Sequence, residues 1–424
     1  MSTYKSIFID GKEVFSFRNE FHPETVYYFT LADLQRLRGR EALPYTVGAY
    51  GGDPYEDDLS ELELPVFMAS ARDVRERLEV MGYGEPLVRR LYELILSERS
   101  SGLYMQKENG PNDQDGLGDP LTLEDWPYDD WKCDVSDHVK LKRHLDRPVD
   151  AVGLRDLGPL SVIQEMDERI VMRAILESVE DTAQVAVDAG ELEECDWLTV
   201  YGDDKYDGFG SVDLNKGRGV GPPIVITEGS FDAFVLSNAI ALLRPHLVSY
   251  VKFLDYDAGA EGGASAAVRT LKAFAAAGVA NRIVAIFDND SAAYEAVMGL
   301  RDTRLPSHYR VIHYPDLDLA AEYPTLGPQG QATMNVNRLA GSIELYLGRD
   351  VLCDASGLRR PVQWKGYMGK VKSYQGEVVD KGAVQRAFRE KLQAAQGNSD
   401  LIENQDWSGI ELILDHLVSK LGSF

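Results

Sequence analysis

Residues 222–316 alternate between short apolar runs and segments with helical spacing, and this alternation constrains the fold more than any other feature. The runs are PPIVITEG, VSYVKFLDYD, NRIVAIFDND and YRVIHYPD. Strands that are apolar throughout are buried on both faces, and helices between them supply the crossovers that parallel strands need. The sequence therefore predicts an α/β domain, with a mainly parallel four-stranded sheet and helices on both faces.

Three of these four strands end in acidic residues. The acids are Glu228 with Asp232, Asp255 with Asp257, and Asp288 with Asp290. Parallel strands end at one edge of the sheet, where open α/β folds bind their ligands. Residues two apart on a strand point to the same face, so each D-x-D pair directs its carboxylates together. We therefore expect all of these carboxylates to meet in one cleft.

A cluster of carboxylates favours a divalent metal site, because close anions repel one another unless a cation holds them. Carboxylate oxygen is the ligand that Mg²⁺ and Mn²⁺ prefer. Two such ions about 4 Å apart can stabilise phosphoryl displacement. The alternative is structural, since Asp after a strand also forms turns and caps helices, and Asp290 directly precedes a helix. The convergence of three acidic strand ends favours Mg²⁺ or Mn²⁺.

The same residues resemble a known signature. E-G-x-x-D from Glu228 closes one strand and D-x-D from Asp288 closes a later one, which resembles the Toprim pattern. Toprim domains occur in topoisomerases, DnaG-type primases and OLD-family nucleases. The resemblance implies that Glu228 is a general acid/base or a metal ligand and that Asp288 and Asp290 bind metal. The additional pair, Asp255 and Asp257, resembles the two-metal arrangement of OLD-type nucleases.

OLD-type nucleases also use a lysine beyond the fourth strand to neutralise transition-state charge. Lys365 is the predicted counterpart, and Lys370 and Lys381 are alternatives. On this resemblance the predicted catalytic set is Glu228, Asp288 and Lys365.

The rest of the chain resembles bacterial proteins described as HEPN/Toprim-associated. The similar pieces are the opening hairpin YKSIFIDGKEVFSF, RERLEVMGYGE at 75–85, and the stretch from TLGPQG to GSIELYLG at 325–348. This resemblance implies DNA or RNA as the substrate and a role in antiphage defence. The HEPN ribonuclease motif, Arg followed by His on one helix, is met formally by Arg301 and His308, but Pro306 disfavours a helix there.

The pattern along the chain predicts four regions. They are an N-terminal α+β domain at 1–115, a helical and loop connecting region at 116–220, the Toprim domain at 221–320, and a C-terminal extension at 321–424. Within them we expect two amphipathic helices in 71–98, a loop over 100–130, a further helical segment at 160–190, and closing helices near 382–395 and 408–421.

Residues 359–372 interleave cations with aromatic residues, as grooves that bind nucleic-acid strands do. The predicted nucleic-acid-binding residues are Arg359, Arg360, Lys365, Lys370 and Lys372. The alternative is an ordinary solvated surface. Lys plus Arg total 44 against 69 Asp plus Glu, a net charge of −25, which argues against binding over the whole surface and leaves a local groove.

Two further residues are ambiguous. His313 ends the fourth strand beside the acids, and we expect a packed histidine rather than a metal or phosphate ligand. Glu344 could be a distal ligand, but a helix-surface position is the simpler expectation.

The sequence favours a metal-dependent nuclease. The alternative is a Toprim-fold binding or regulatory subunit without turnover, and primase-like nucleotidyl transfer is disfavoured because the three cysteines are too far apart for a zinc ribbon. No G-x-x-x-x-G-K-S/T loop is present, which implies a separate ATPase partner or no need for ATP. With no signal peptide and no long apolar span, we expect a cytoplasmic homo-oligomer away from membranes, with dimerisation or sensing in the N-terminal region.

Overall fold

The structure is a computed structural model that describes residues 5–17, 26–45, 62–100, 124–144, 158–163, 166–194, 199–201, 205–208, 221–256, 259–354 and 356–423. The chain divides into two compact units, residues 1–221 and 222–422. Each unit has its own sheets and its own apolar core. Among the described helices, none is long and apolar enough to cross a membrane.

The first unit is built on a five-stranded antiparallel sheet. Its strands are β1 (Lys5–Ile9), β2 (Lys12–Phe17), β3 (Leu34–Arg38), β4 (Glu63–Ser70) and β5 (Gln184–Asp188), in the order β2-β1-β5-β4-β3. Asp10 and Gly11 join β1 to β2 with φ of 49° and 73°, the left-handed geometry that the tightest hairpin turns require. The opening hairpin is therefore as predicted. A separate short ladder pairs β6 (Thr199–Tyr201) with β7 (Lys205–Gly208).

Helices cover this sheet. They are α1 (Ala71–Met81), α2 (Glu85–Ser100), α3 (Tyr128–His144), α4 (Glu168–Leu176) and α5 (Gly190–Glu194). The Ser70 side chain caps α1 by accepting from the Asp73 N–H, and Gly82 ends it with φ of 94°. Two helices separated near Gly82 were predicted, and the structure confirms them. Of the predicted loop over 100–130, residues 101–123 lie outside the described residues, and α3 begins at Tyr128.

The predicted helical segment over 160–190 is only partly helical. Helix α4 holds most of the expected apolar stripe, but β5 is a strand that pairs with both β1 and β4. The helical prediction was wrong there because β5 is fixed by partners far away in sequence. Val185 and Val187 are fully buried between those neighbours, where β-branched side chains pack well.

The second unit contains the parallel sheet that the sequence predicts. Its first strands are β8 (Ile224–Ile226), β9 (Lys252–Phe253), β10 (Ile283–Phe287), β11 (Asn289–Asp290) and β12 (Tyr309–His313). The sheet has the order β12-β10-β8-β9, and all three pairings are parallel. The connecting helices are α6 (Ser230–Leu243), α7 (Ala264–Ala277) and α8 (Ser291–Val297). All five residues of the central strand β10 are buried, which confirms the α/β class.

The remainder of this unit adds a second four-stranded sheet that the sequence did not predict. It contains β13 (Tyr323–Gly327), β14 (Gly330–Met334), β16 (Val362–Met368) and β17 (Ser373–Val378), in the order β14-β13-β16-β17, while β15 (Ala340–Gly341) pairs with β11. The helices are α9 (Asp318–Ala321), α10 (Arg349–Leu352), α11 (Lys381–Ala395), α12 (Ser399–Asn404) and α13 (Ser408–Leu421). The closing helices predicted near 382–395 and 408–421 are α11 and α13.

Candidate metal-binding active site

The D-x-D pair follows the most deeply buried strand of the parallel sheet. Asp290 is the N-cap of α8, and its Oδ1 accepts a hydrogen bond of 2.8 Å from the Ala293 N–H. Its Oδ2 accepts from Gln375 Nε2 at 3.3 Å. The capping role considered for Asp290 is therefore real, but it occupies only one of the two carboxylate oxygens.

Asp288 lies between β10 and the cap. Its backbone N–H donates to Glu228 Oε1 at 2.9 Å, and its carbonyl oxygen is 2.9 Å from His313 Nδ1. Its own Oδ1 is buried and has no hydrogen-bond partner among the described residues. A buried carboxylate oxygen without a donor is costly in an apo site, and a bound cation would relieve that cost.

Glu228 and Asp232 come from the neighbouring strand and its helix. Glu228 directly follows Thr227 at the end of β8, and its backbone oxygen accepts from the Gly263 N–H at 2.5 Å, just before α7 begins. Asp232 lies in the first turn of α6, is buried, and accepts from the Tyr314 hydroxyl at 2.8 Å. The ends of β8, β10 and β12 are thus tied together around three carboxylates.

The carboxylates of this cluster raise one another's pKa values. Burial raises the pKa of Glu228 to about 8, and the charges of Asp290 and Asp232 add to the increase. Burial also raises the pKa of Asp232 to about 6. The pKa of Asp288 is well above its ordinary value because of burial, with Asp232 and Glu228 contributing. This edge of the sheet therefore carries more carboxylates than it can hold ionised without a cation.

Glu344 belongs to the same cluster. It is fully buried in a 3-10 turn, Ile343–Tyr346, and accepts from Ser342 Oγ at 2.7 Å and from Gln385 Nε2 at 2.9 Å. The expected helix-surface position is therefore wrong. The signal in the sequence was a lone acid inside the apolar run SIELYL, which predicts burial of the acid rather than exposure.

Lys381, the first residue of α11, supplies positive charge to the cluster. Its Nζ lies 3.2 Å from Glu344 Oε2. Burial opposes its charge, but Glu344 and Asp288 outweigh burial and raise the pKa of Lys381. In return, its charge lowers the pKa values of Glu228 and Asp290, against the larger effect of burial.

The other two candidate lysines have different partners. Lys365 Nζ lies 3.2 Å from Glu377 Oε2, and Lys370 Nζ lies 3.5 Å from Glu295 Oε1. The electrostatics therefore favour Lys381 as the lysine that acts with the acids, and the role of Lys365 stays a prediction.

A cleft of about 980 Å³ opens over this cluster. Its walls combine acidic and basic side chains from the second unit. The charged residues that line it are Glu228, Asp288, Asp290, Glu295, Glu377, Arg269, Arg301, Lys365, Lys370 and Lys381. A cleft lined by both carboxylates and cationic side chains is suited to a metal ion together with a phosphate-bearing ligand.

Of the second acidic pair, the structure describes Asp255 alone. Asp255 follows β9, is exposed, and is not among the residues that line the cleft. Asp257 lies outside the described residues. A contribution of this pair to metal binding stays a prediction, and so does the likeness to the OLD-type two-metal arrangement.

The residues of the cluster fit Mg²⁺ or Mn²⁺ in chemical type, because carboxylates supply hard oxygen ligands and the buried Asp288 Oδ1 has no partner in the described residues. In the part of the chain that the structure describes, no three His, Cys, Asp or Glu side chains stand in ligating positions. Glu228 and Asp232 accept from protein donors instead. Each of these hydrogen bonds engages one of the two carboxylate oxygens, Glu228 Oε1 and Asp232 Oδ1.

The structure describes both His313 and the Arg301–His308 segment. The His313 ring stacks on Tyr294 with centroids 3.9 Å apart, and burial lowers its pKa, so it is a packed, neutral side chain as expected. The Arg301–His308 segment is not helical, because it runs from the end of a 3-10 turn to the start of β12. The helix required by the HEPN ribonuclease motif is absent from these residues.

Residues 359–372, predicted to bind nucleic acid, contain β16 and the turn that leads to β17. Lys365 and Lys370 line the cleft, and Lys372 is exposed at the turn between β16 and β17. Arg360 donates to the Cys353 carbonyl oxygen at 2.7 Å, and Arg359 is exposed before β16. The cations of this segment are therefore spread over different surfaces, and only the two lysines face the acidic centre.

Residues 1–209 match the family described as HEPN/Toprim N-terminal domain 1. This match places a HEPN/Toprim N-terminal domain in the first unit of the chain. Neither a curated protein nor a solved structure matches it. The match suggests a nuclease-associated function, and it ends before the parallel sheet begins.

Proposed function

We propose that this HEPN/Toprim-associated protein is a Mg²⁺- or Mn²⁺-dependent nuclease that hydrolyses nucleic-acid phosphodiesters and acts in antiphage defence. The observation that supports the activity most strongly is the set of mutually repelling buried carboxylates around Asp288, whose Oδ1 has no partner in the described residues. A purely structural carboxylate would be matched by donors, as buried polar groups in folded proteins usually are. The defence role rests on the family resemblance.

The metal ligands in this proposal are Glu228, Asp288 and Asp290, with Asp232 beside them and Asp255 and Asp257 as further candidates. Held by these carboxylates, a divalent ion would lower the pKa of the attacking water and offset the negative charge that develops on the phosphodiester oxygens. Tyr314 orients Asp232 through its hydroxyl. Gln375 orients Asp290 through its amide.

Lys381 stabilises the negative charge that develops on the phosphate. Its ammonium is held by Glu344, which is itself fixed by Ser342 and Gln385. A cation held in advance costs little reorganisation when charge develops, which is the main source of electrostatic catalysis. This assignment replaces Lys365, which we place with Lys370 in contacts to the nucleic-acid backbone.

Glu228 has a second possible task. Its pKa of about 8 without metal means that it keeps a proton at neutral pH until a cation binds. In that task the ion would be held by Asp288 and Asp290, and the Glu228 proton would move to or from a reacting oxygen.

The test is cleavage by the purified full-length protein of plasmid, linear DNA, single strands and tRNA, each with Mg²⁺, Mn²⁺ or EDTA. We expect cutting that requires metal and is lost in Asp288→Ala. Asp302→Ala is a matched control, because Asp302 is an exposed acid outside the cluster. Intact cleavage by Asp288→Ala would contradict the proposal.

A second candidate function is a binding or regulatory subunit without turnover. It is favoured by the protein donors that already engage Glu228 and Asp232, and by the lack of a ready ligand triad in the described residues. Thermal stabilisation by Mg²⁺ or Mn²⁺ distinguishes the two, because a ligand stabilises only a fold that binds it. A nuclease site should lose this stabilisation in Glu228→Gln, whereas a decayed site should show none to lose.

The homo-oligomer, the separate ATPase or sensor partner and the cytoplasmic location stay predictions. Light scattering of the purified chain would test the first of them.

A further inference from the structure

The turn end of the β16–β17 hairpin carries an exposed aromatic pair. Tyr367 and Tyr374 are cross-strand partners, with ring centroids 5.2 Å apart and an interplanar angle of 66°. Their exposed fractions are 56% and 58%. Two large rings exposed side by side are unusual for residues that only pack, and aromatic side chains are common anchors at binding surfaces. We call Tyr367 and Tyr374 the tyrosine pair.

The tyrosine pair is held firmly beside the acidic centre. Ser291, the first residue of α8, donates through Oγ to the Tyr374 carbonyl oxygen at 3.0 Å and lies 3.0 Å from Ser373 Oγ. The next residue, Gln375, donates to Asp290 Oδ2. The backbone under the tyrosine pair is therefore fixed to the helix that Asp290 caps, which gives the pair a defined position relative to the cleft.

The two faces of the hairpin differ. Successive residues of a strand point to opposite faces, so Ser373 and Gln375 face the acidic centre while Tyr374 faces away. Met368 and Lys370 line the cleft near the turn. The cleft and the tyrosine pair therefore lie on opposite sides of the hairpin and meet at its turn.

The turn itself is cationic in a chain with a net charge of −25. It contains Lys370 and Lys372, both exposed. Lys370 has Glu295 as a partner, whereas Lys372 has no acidic partner among the described residues. Positive charge next to exposed aromatic rings is the combination found where proteins hold single-stranded nucleic acid.

We propose that the hairpin turn and its tyrosine pair bind an unpaired stretch of the nucleic acid that occupies the cleft. The strand leaves the cleft past Lys370, bends around the turn near Lys372, and stacks bases on Tyr367 and Tyr374. Bases in a duplex are already stacked on each other, and a duplex is too stiff to bend over so short a distance. The substrate class is therefore single-stranded nucleic acid, or duplex with an unpaired end or flap.

This inference rests on the proposed nuclease for the contents of the cleft, so it is tested by binding, apart from turnover. Fluorescence anisotropy in EDTA would compare labelled oligothymidylate, oligouridylate and a blunt hairpin duplex of equal length on the full-length protein. We expect both single strands to bind more tightly than the duplex. In Tyr367→Ala/Tyr374→Ala the single strands should bind roughly tenfold or more weakly, because each stacked base is lost.

Matched variants separate stacking from folding. Tyr367→Phe/Tyr374→Phe should keep single-strand binding, because stacking needs the ring and not the hydroxyl. Val248→Ala/Leu412→Ala, which removes exposed apolar side chains elsewhere in the second unit, should bind as the unchanged protein does. Lys372→Ala should weaken binding of all sequences alike and reduce its salt dependence by about one ion.

Several results would overturn the inference. One is equal binding of single strands and duplex. Another is unchanged single-strand binding in the double Ala variant. A third result has two parts: the double Ala variant loses a homo-oligomer that the unchanged protein forms, and no form of the protein binds an oligonucleotide. The tyrosine pair would then be a contact between protein chains. Loss of cleavage with intact, tyrosine-dependent binding would count against the nuclease alone, so the two proposals fail separately.

Discussion

Buried charge in the first unit is arranged differently from the acidic cluster of the second unit. In the first unit the buried Arg77 and Arg173 each face an anion: Arg77 Nη1 lies 2.7 Å from Asp33 Oδ2, and Arg173 Nη2 lies 2.6 Å from Glu79 Oε1. In the second unit, carboxylates gather around Asp288 and raise one another's pKa values.

The difference separates structural from functional charge. A buried pair that is fully hydrogen-bonded is close to neutral in its net effect on folding, and it is costly only when one partner is removed. A buried group of like charges destabilises the fold as it stands, and it persists where a bound ligand compensates. The buried arginines of the first unit are therefore paired with anions, whereas the carboxylates around Asp288 repel one another.

The largest expected effect comes from Asp288→Asn, which keeps the shape of the side chain and removes its charge. We expect cleavage to fall by more than the ~100-fold that loss of an outer-shell partner of a metal costs. We also expect the metal-free protein to become more stable, because a repelling buried carboxylate is gone. Activity assays and denaturant unfolding of the apo protein check the two effects. A variant that is both inactive and less stable would indicate that Asp288 is a structural residue.

The opposite outcome is expected for a paired charge in the first unit. Arg77→Ala leaves the half-buried Asp33 without its cation and removes the Arg77 Nη1 donor from the Tyr28 carbonyl oxygen. Breaking such a pair costs about 3–5 kcal/mol of unfolding free energy, with or without metal. Arg72→Ala is the control, because its exposed pair with Glu76 contributes less than about 1 kcal/mol. Equal urea midpoints for Arg77→Ala and Arg72→Ala would show that the pair of Arg77 with Asp33 does not stabilise the first unit more than an ordinary surface pair does.

The pH dependence of stability should also have opposite signs. Glu228 has a folded pKa of about 8 against an ordinary value of 4.5. Between these values the folded protein binds more protons than the unfolded chain, so metal-free stability falls as pH rises from 5 to 8, by on the order of 2 kcal/mol. Burial opposes ionisation of Glu177, but Arg173 outweighs it and lowers the Glu177 pKa, so its contribution is lost as pH falls through the acidic range.

Hydrogen exchange at several pH values would follow the two units separately. The decline in the second unit should be reduced in Glu228→Gln and by saturating Mg²⁺. A rise in hydrogen-exchange protection of residues 222–422 with increasing pH, in the absence of metal, would contradict the proposed repulsion among the carboxylates.

The sequence revealed the parallel sheet and its acidic edge because both are encoded locally. Each strand is a short apolar run, and its acid follows directly, so Asp288 and Asp290 needed no knowledge of distant contacts. Strand β5 was missed because it is defined by pairing with Ile7–Ile9 and Val66–Ser70, far away in the chain.

The same reasoning explains the misjudged Glu344. Its partners Lys381 and Gln385 lie on α11, well removed from Glu344 along the chain. Long-range packing of this kind leaves little trace in the local pattern. The choice among the three lysines stays open for the same reason, because their spacing in the sequence does not show which one reaches the acids.

The smallest expected effect comes from replacing Lys381 or Lys365, and it distinguishes which of the two acts in catalysis. Lys381→Ala should reduce cleavage about tenfold to a hundredfold with little change in the affinity for nucleic acid, because its charge acts on the reacting phosphate. Lys365→Ala should leave the rate at saturating substrate nearly unchanged and weaken binding in a salt-dependent way, since Lys365 lies on the cleft wall beside Glu377. Single-turnover rates and anisotropy on the same substrates separate these effects. A large loss of rate in Lys365→Ala, with Lys381→Ala still active, would support Lys365 as the catalytic lysine. The pair formed by Glu344 and Lys381 would then be structural, like the pairs of Arg77 and Arg173 in the first unit.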